Sequence, residues 1–261
     1  MKALAARRHD RRAPIVLLLL ALLLTGGVYA ALAPSASAAA PASASADDIA
    51  KGKELFQANC ATCHGASAGG TASAPSLIGV GAAAVDFQVG TGRMPAQMDG
   101  PQIEAKPVQF SQDQIDQLAA YVASLGPGPS VPTAEQVDPA KGDPASGMAL
   151  FRTNCAMCHN AVGAGGALSR GKFAPNLWNT TPTHLYEAMV TGPQSMPVFN
   201  NANLTPDEKR DIISFIDQQG QASPGGLQLG AIGPVSEGVW AWIVGLGVLI
   251  GAAVWIGAKS S

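Results

Sequence analysis

A segment of this chain recurs 95 residues further on, and this internal repeat constrains the fold more than any other feature. Residues 52–64, GKELFQANCATCH, align with residues 147–159, GMALFRTNCAMCH. Two further pairs of segments match downstream: APSL with APNL (74–77 and 174–177), and TGRMP with GPQSMP (91–95 and 192–197). The chain therefore contains a duplicated unit, and we expect each copy to have the same fold and the same kind of site.

Both copies are predicted to be α-helical. Residues 110–126 correspond to residues 204–220, and each segment has apolar residues at helical spacing. No segment of useful length alternates as a strand would, so the fold class is predicted to be all-α. The predicted helix caps are Asp48 and Asp143 as N-caps, the capping boxes Ser111–Gln114 and Thr205–Glu208, and Gly126 and Gly220 as C-terminal ends.

The repeat and the composition of the segments around it predict the domain limits. Each unit has about 80 residues and few large apolar side chains, so it needs a large apolar group to complete its core. The predicted segments are a basic and hydrophobic N-terminal region with an Ala/Ser/Pro-rich spacer (1–46), a first domain (47–126), a Pro-rich linker (127–141), a second domain (142–220), a Gly/Pro-rich linker (221–238) and a membrane helix (239–258).

The four cysteines of the chain all lie in two C-x-x-C-H motifs. Cys60, Cys63 and His64 form the first, and Cys155, Cys158 and His159 form the second. This motif can attach haem c covalently, with thioethers formed by the two thiols and the iron ligated by the histidine. Two covalently bound haem c groups are therefore predicted. A zinc site that combines both motifs and a thiol–disulfide exchange site are the alternatives.

Each motif is followed by a methionine that precedes a proline. Met94 and Met196 are the predicted sixth ligands of the first and second haem iron, since proline keeps the preceding residue out of a helix. Met98 and Met189 are not predicted as ligands, and Met157 is predicted to face away from the haem and to pack. His184 is predicted to lie at a surface or capping position. Trp178 and Tyr186 are predicted to pack near the second haem.

Two apolar segments near the ends of the chain predict attachment to a membrane. Residues 14–33 and 239–258 each contain 20 residues without a charge, about the length of a membrane-spanning helix. The first follows the basic stretch ARRHDRR and is either a cleaved signal or a retained anchor; the second is predicted to span. By the positive-inside rule, the domains are predicted on the extracytoplasmic side of the cell membrane, and the C-terminus in the cytoplasm.

The charge of the region between the apolar segments excludes one class of partner. Residues 47–236 contain 16 acidic and 10 basic side chains, and the basic residues form no cluster. Nucleic-acid binding would require a basic patch. Nucleic acid is therefore not a predicted partner.

The segments 74–97, 192–197 and 223–245 resemble the di-haem cytochrome c subunit of the actinobacterial cytochrome bc complex, a menaquinol–cytochrome c reductase. The resemblance extends over nearly the whole chain and implies two tandem class I cytochrome c domains. It further implies membership in a proton-translocating oxidoreductase complex in which this chain itself only transfers electrons. The implied partners are a cytochrome b subunit, a Rieske iron–sulfur protein as donor and a cytochrome c oxidase as acceptor.

Two other functions are compatible with the motifs. The first is an independent, membrane-tethered di-haem carrier that serves another oxidase or dehydrogenase. The second is a di-haem peroxidase, which would need one iron with an open or displaceable ligand. A methionine before proline in both copies argues against the peroxidase.

Overall fold

The computed structural model of the protein describes residues 13–32, 44–98, 100–221 and 234–259. It divides into two units, one before Ala44 and one from Ala44 onward. The first contains helix α1 (Ala13–Leu32), which coincides with the predicted apolar segment 14–33. The basic residues before it, most of the predicted spacer and residues 222–233 of the predicted second linker lie outside the described residues.

The second unit contains both copies of the repeat, and the helices of the two copies correspond one to one. The first copy consists of α2 (Ala46–Asn59), α3 (Ala61–His64), α4 (Ala82–Gly90) and α5 (Gln112–Ser124). The second copy, preceded by α6 (Ala134–Val137), consists of α7 (Pro144–Asn154), α8 (Ala156–His159), α9 (Pro182–Thr191) and α10 (Pro206–Gln221). The prediction of an all-α fold is confirmed, with a two-residue β1 (Gly166–Ala167) and β2 (Phe173–Ala174) as an antiparallel pair.

Most of the predicted helix caps are confirmed, but two are wrong: Asp48, and Gly220, because α10 continues through it to Gln221. Both hydrogen bonds of the Ser111–Gln114 capping box are present, and the Asp143 carboxylate accepts from two amides of α7. Asp48 is not an N-cap, because helix α2 begins earlier. The Ser45 hydroxyl accepts from the Asp48 amide and donates to the Asp48 carboxylate, so the serine takes the capping position.

The first and last helices of each copy pack closely against each other to form its core. Helix α2 crosses α5 at Gly52, where a methyl group would lie 1.9 Å from the Gln117 carbonyl oxygen. Helix α7 crosses α10 at Gly147, where a methyl group would lie 1.9 Å from the Asp211 carbonyl oxygen. These two glycines occupy equivalent positions of the repeat, so the same close approach of two helices builds both cores.

Aromatic side chains fill the two cores in equivalent ways. Phe56 and Tyr121 have ring centroids 5.3 Å apart in the first copy. Phe151 and Phe215 have ring centroids 5.3 Å apart in the second copy. The duplication visible in the sequence is thus also a duplication of the packing.

The segment predicted as a Pro-rich linker is only partly extended. Its second half forms α6 and a 3-10 turn at Pro139–Lys141, and Thr133 and Gln136 form a capping box at α6. Val137 is buried in the core of the second copy. The residues before α6 follow the surface of the first copy, where the Pro129 carbonyl accepts from the Ala83 amide.

The two copies contact each other through corresponding helices. Helix α4 of the first copy packs against helix α9 of the second. Beyond the repeat, helix α11 (Pro234–Lys259) contains a 21-residue stretch, Gly238–Ala258, that is long and apolar enough to cross a membrane. The shorter apolar stretch in α1 is Pro14–Val28.

Candidate functional site

One helical turn brings together the reactive side chains of each C-x-x-C-H motif. Cys60 ends α2 and precedes α3, and its carbonyl accepts from the amides of Cys63 and His64 at 3.2 and 2.9 Å. Cys155 accepts in the same way from Cys158 and His159 at 3.1 and 2.9 Å. Residues three and four apart in a helical turn share one face. Each motif therefore presents two thiols and an imidazole on the same side.

A backbone carbonyl fixes the orientation of each motif histidine. The Nδ1 atom of His64 lies 2.8 Å from the Pro75 carbonyl oxygen. The Nδ1 atom of His159 lies 3.0 Å from the Pro175 carbonyl oxygen. When Nδ1 donates its proton to this carbonyl, the lone pair of Nε2 is available to a metal. The residues present therefore fit a haem iron bound through Nε2 in both copies.

The environment of the cysteines disfavours thiol–disulfide exchange. Burial, with a smaller effect of Cys63, raises the pKa of Cys60 to about 11. Burial and Cys158 likewise raise the pKa of Cys155 to about 12. Exchange requires a thiolate, and exchange sites lower the cysteine pKa. A thioether carries no charge, so an apolar environment suits it.

The arrangement of possible metal ligands disfavours the zinc alternative. Within residues 13–32, 44–98, 100–221 and 234–259, one group of three His, Cys, Asp or Glu side chains could hold an ion. That group is Asp86, His184 and Glu187, and it contains no cysteine. The two C-x-x-C-H motifs therefore do not combine into a cysteine-rich zinc site.

Each predicted methionine ligand packs on the same apolar cluster as the first cysteine of its motif. Cys60 and Met94 both contact the core of the first copy. Cys155 and Met196 both contact the core of the second. The Gln88 carbonyl accepts from the Met94 amide at 2.8 Å, which ties the methionine turn to α4. The structure thus brings the predicted cysteine and methionine residues to one cluster in each copy.

The other methionines differ sharply in exposure. Met189 is buried in α9, whereas Met98 is 79% exposed. Met157 is 95% exposed, so the prediction that it packs is wrong. It lies between the two cysteines on the outer side of the α8 turn, where none of the described elements covers it.

Three residues around the second site have specific contacts. The Trp178 Nε1 group donates to the Val162 carbonyl at 2.8 Å, and the buried Tyr186 hydroxyl accepts from Gln136 at 3.4 Å. His184 is predicted at a surface or capping position: its amide donates to the capping Thr181 hydroxyl at 3.2 Å, whereas the surface position is wrong. Its ring is largely buried and lies 3.7 Å from the Asp86 carboxylate of the first copy.

Two glutamines join the copies through reciprocal hydrogen bonds that the sequence does not reveal. The Gln102 side chain accepts from the Phe173 amide at 2.8 Å and donates to the Phe173 carbonyl at 2.9 Å. The Gln194 side chain does the same with Ile103, at 2.9 and 2.8 Å. Each glutamine thereby acts like a short strand paired with the other copy. Together with the α4–α9 contact, these bonds fix the two sites relative to each other.

Removing either glutamine side chain is expected to loosen this contact at a defined place. In Gln102→Ala the Phe173 amide loses its acceptor, and in Gln194→Ala the Ile103 amide loses its acceptor. Each change removes two hydrogen bonds, worth about 2 kcal/mol together, so the affected amide should exchange roughly 30-fold faster. Hydrogen exchange followed by mass spectrometry measures this. Gln97→Ala is the control, because Gln97 is exposed and makes no hydrogen bond within the described chain; equal exchange in all variants would contradict the assignment.

Two helical copies, each with a C-x-x-C-H motif and a methionine on the same apolar cluster, define a tandem c-type cytochrome. Comparison with known families agrees: residues 49–126 match the cytochrome c family, and residues 142–216 match the family described as cytochrome c oxidase, cbb3-type, subunit III. The chain belongs to the family of cytochrome bc1 complex cytochrome c subunits.

The relatives that show this family match almost end to end. The cytochrome bc1 complex cytochrome c subunit of Corynebacterium efficiens is 44% identical over 99% of this chain and 94% of its own length. That of Mycobacterium tuberculosis is 45% identical over 94% of this chain and 90% of its own. The cbb3-type cytochrome c oxidase subunit FixP of Sinorhizobium medicae is 30% identical over 49% of this chain. An electron-carrying role, haem c binding and anchoring through α11 follow for this chain.

Proposed function

We propose that this chain relays electrons from a Rieske iron–sulfur protein to a cytochrome c oxidase, within a menaquinol–cytochrome c reductase. The observation that supports this most is the nearly full-length similarity to cytochrome bc1 complex cytochrome c subunits, which includes the C-terminal anchor. The cytochrome b subunit and the Rieske protein are the proposed partners in the reductase. The chain itself transfers electrons and performs no other chemistry.

The chain binds two haem c groups in this proposal, one in each copy. Cys60 and Cys63 hold the first covalently, with His64 and Met94 as iron ligands. Cys155 and Cys158 hold the second, with His159 and Met196 as iron ligands. When bound, haem c supplies a one-electron iron couple, and methionine ligation raises its reduction potential. The His64–Pro75 and His159–Pro175 hydrogen bonds support these assignments, because they leave Nε2 available on both histidines.

Rigid coupling of the two copies suits a relay. The glutamine bonds and the α4–α9 contact hold the copies in one arrangement, so the separation between their sites does not depend on diffusion. Anchoring through α11 keeps both copies beside the other membrane subunits, which raises their effective concentration. A tethered pair of this kind replaces a freely diffusing carrier.

The proposed orientation follows from the two apolar segments. The basic residues before α1 remain in the cytoplasm, and both copies lie on the extracytoplasmic side of the cell membrane. Helix α11 then crosses the membrane and leaves the C-terminus in the cytoplasm. Whether the segment of α1 is removed as a signal does not alter this orientation, because either form delivers the copies to the same side.

Affinity purification of the full-length chain from membranes tests the proposal. We expect a cytochrome b subunit, a Rieske protein and an oxidase to co-purify with the chain. We also expect menaquinol to reduce the chain's haem c faster in these samples than in samples that lost the Rieske protein during purification. Recovery of a haem-loaded chain without cytochrome b and Rieske partners would instead favour the independent carrier.

Replacing either methionine ligand is expected to change the spin state of one haem only. Met94→Ala and Met196→Ala should each convert about half of the low-spin ferric signal to high-spin and lower one of the two reduction potentials. Electron paramagnetic resonance and a potentiometric titration measure these changes. Met98→Ala is the matched control, because that side chain is 79% exposed and should leave both signals unchanged. A low-spin signal that survives in Met196→Ala would contradict its assignment as a ligand.

A further inference from the structure

The contact between the two copies contains three ligand-type side chains that the proposed haem sites do not use. Asp86 lies on α4, and His184 and Glu187 lie on α9. One oxygen or nitrogen of each lies within 4.8 Å of the others. The cluster thus contains donors from both copies, and it forms only when the copies are together.

The carboxylates of this cluster are buried, and one of them lacks a partner. Glu187 is 0% exposed and Asp86 is 5% exposed. Neither Glu187 oxygen accepts a hydrogen bond from an amide, a hydroxyl or a cationic group in the described chain, and its neighbour in the cluster is the Asp86 carboxyl group. A buried carboxyl group is unfavourable when its polar neighbour is only another carboxyl group, whether it is ionised or protonated. The position of Glu187 therefore indicates a ligand between it and the neighbouring donors.

Neighbouring groups orient the other two donors and leave room beside them. Gln112 donates to one oxygen of Asp86 at 3.1 Å, while the other oxygen faces the His184 Nε2 atom at 3.7 Å. A methyl group at Gly90 would lie 3.0 Å from that Nε2 atom. Because Gly90 has no side chain, the space beside Nε2 stays open on this side. Outer hydrogen bonds of the kind made by Gln112 typically orient metal-ligating carboxylates.

Within the described residues, Arg93 forms no ion pair with the carboxylates of the cluster. The Arg93 guanidinium stacks over the Phe87 ring at 4.9 Å from its centroid. Among the described residues, the one ion-pair contact of Asp86 is with His184. Two buried carboxyl groups therefore face a single imidazole, and within the described residues no Lys or Arg side chain pairs with either of them.

The repeat shows that these three residues are not required by the fold itself. Thr91 and Thr191 occupy equivalent positions, since each hydroxyl donates to the carbonyl four residues earlier, at Phe87 and at Glu187. The equivalents of Asp86, Glu187 and His184 are then Tyr186, Phe87 and Ala84. None of these equivalents is a carboxylate or an imidazole, so each copy folds without a ligand-type residue at the corresponding position.

We propose that Asp86, His184 and Glu187 bind a divalent first-row transition-metal ion that ties the two copies together. Two carboxylate oxygens and one imidazole nitrogen suit Zn²⁺ best, with water in a fourth position. Zinc holds such donors at about 2.1 Å, which requires them to lie roughly 3.4 Å from one another in a tetrahedron. The present separations are 3.7 Å between the Asp86 oxygen and the His184 Nε2 atom and at most 4.8 Å within the cluster, so the donors must move together by up to about 1.4 Å when the metal binds.

The protonation states of the cluster predict how pH controls metal binding. Burial lowers the pKa of His184, with opposing effects of Asp86 and Arg93, so the imidazole is neutral and can ligate. Burial, and then Asp86, raises the pKa of Glu187 to about 10, so Glu187 holds a proton when no metal is bound. The metal must displace this proton, and its affinity therefore falls as the pH falls.

Metal analysis of the full-length, haem-loaded chain tests the proposal. The detergent-purified chain is equilibrated with ZnCl₂, desalted and analysed by inductively coupled plasma mass spectrometry, with zinc counted per polypeptide. We expect one zinc per wild-type chain and less than about a tenth as much in Glu187→Gln and in His184→Ala. Glu54→Gln is the matched control, because Glu54 is exposed on α2 and should leave the zinc content unchanged.

A second measurement on the wild-type chain keeps the test independent of variant folding. We expect bound zinc to be released on lowering the pH to about 5.5 and recovered on return to neutral pH, with the haem spectrum unchanged. No zinc in the wild-type chain after equilibration would overturn the proposal and leave Asp86 and Glu187 as a proton-sharing pair. Equal zinc in wild type and Glu187→Gln would also overturn it. Because zinc is counted per chain, neither result depends on the proposed electron acceptor.

Discussion

Replacing Cys155 and Cys158 with alanine is expected to halve the haem c content of the chain and to abolish electron transfer to the oxidase. Without the two thiols no thioether forms, and His159 alone does not retain the group through purification. The second copy, a unit of about 80 residues, also loses the apolar group that completes its core. The reduced pyridine spectrum gives the haem content, and menaquinol-driven oxygen uptake by the purified complex gives the electron transfer.

The control for the cysteine variant lies inside the same motif. Met157→Ala changes the residue between the two cysteines, whose side chain is 95% exposed. It should leave haem content and oxygen uptake at the wild-type level. Full oxygen uptake by the double cysteine variant would mean that electrons bypass the second copy, and the relay would then be wrong.

The Gly147→Ala variant should lose much of the stability of the second copy. The added methyl group would lie 1.9 Å from the Asp211 carbonyl oxygen, and the clashing atom belongs to the backbone of α10. Helices α7 and α10 must therefore separate, at a cost of about 3 kcal/mol. For a unit of this size that corresponds to a fall in the melting temperature of roughly 15 °C, measured by calorimetry.

Comparison with two other glycine variants separates steric overlap from a general effect of substitution. Gly52→Ala should cause a similar loss in the first copy, because its methyl group would meet the Gln117 carbonyl oxygen at 1.9 Å. Gly69→Ala should change the melting temperature little, since the nearest atom would be the Ser67 hydroxyl at 3.4 Å. Equal melting temperatures for Gly147→Ala and Gly69→Ala would contradict the close crossing of α7 and α10.

The sequence was informative wherever the determining interactions are local. The capping box of Ser111 and Gln114 and the C-x-x-C-H turns depend on residues three or four apart, and the structure has them as predicted. Even local prediction has limits. Asp48 was expected to cap α2, but the Ser45 hydroxyl is available three residues earlier and competes for the same amide. Similarly, α10 continues through Gly220 to Gln221.

The contact between the copies could not be predicted because it depends on how separate segments pack. Asp86 and Glu187 lie on helices of different copies, and no periodicity relates them. The Gln102–Phe173 bonds likewise join a loop of the first copy to β2 of the second. His184 was expected at the surface because its own helix carries no signal of burial at that position; the first copy covers it.

The haem c content of the full-length chain tests the central claim most directly. The chain is purified in detergent, and its reduced pyridine spectrum is compared with the protein concentration from amino-acid analysis. Two equivalent sites on one rigid pair of copies predict two haem c per chain. A value of one haem c per chain would contradict the account, because one of the two C-x-x-C-H motifs would then serve another purpose and the relay would lack one of its two sites.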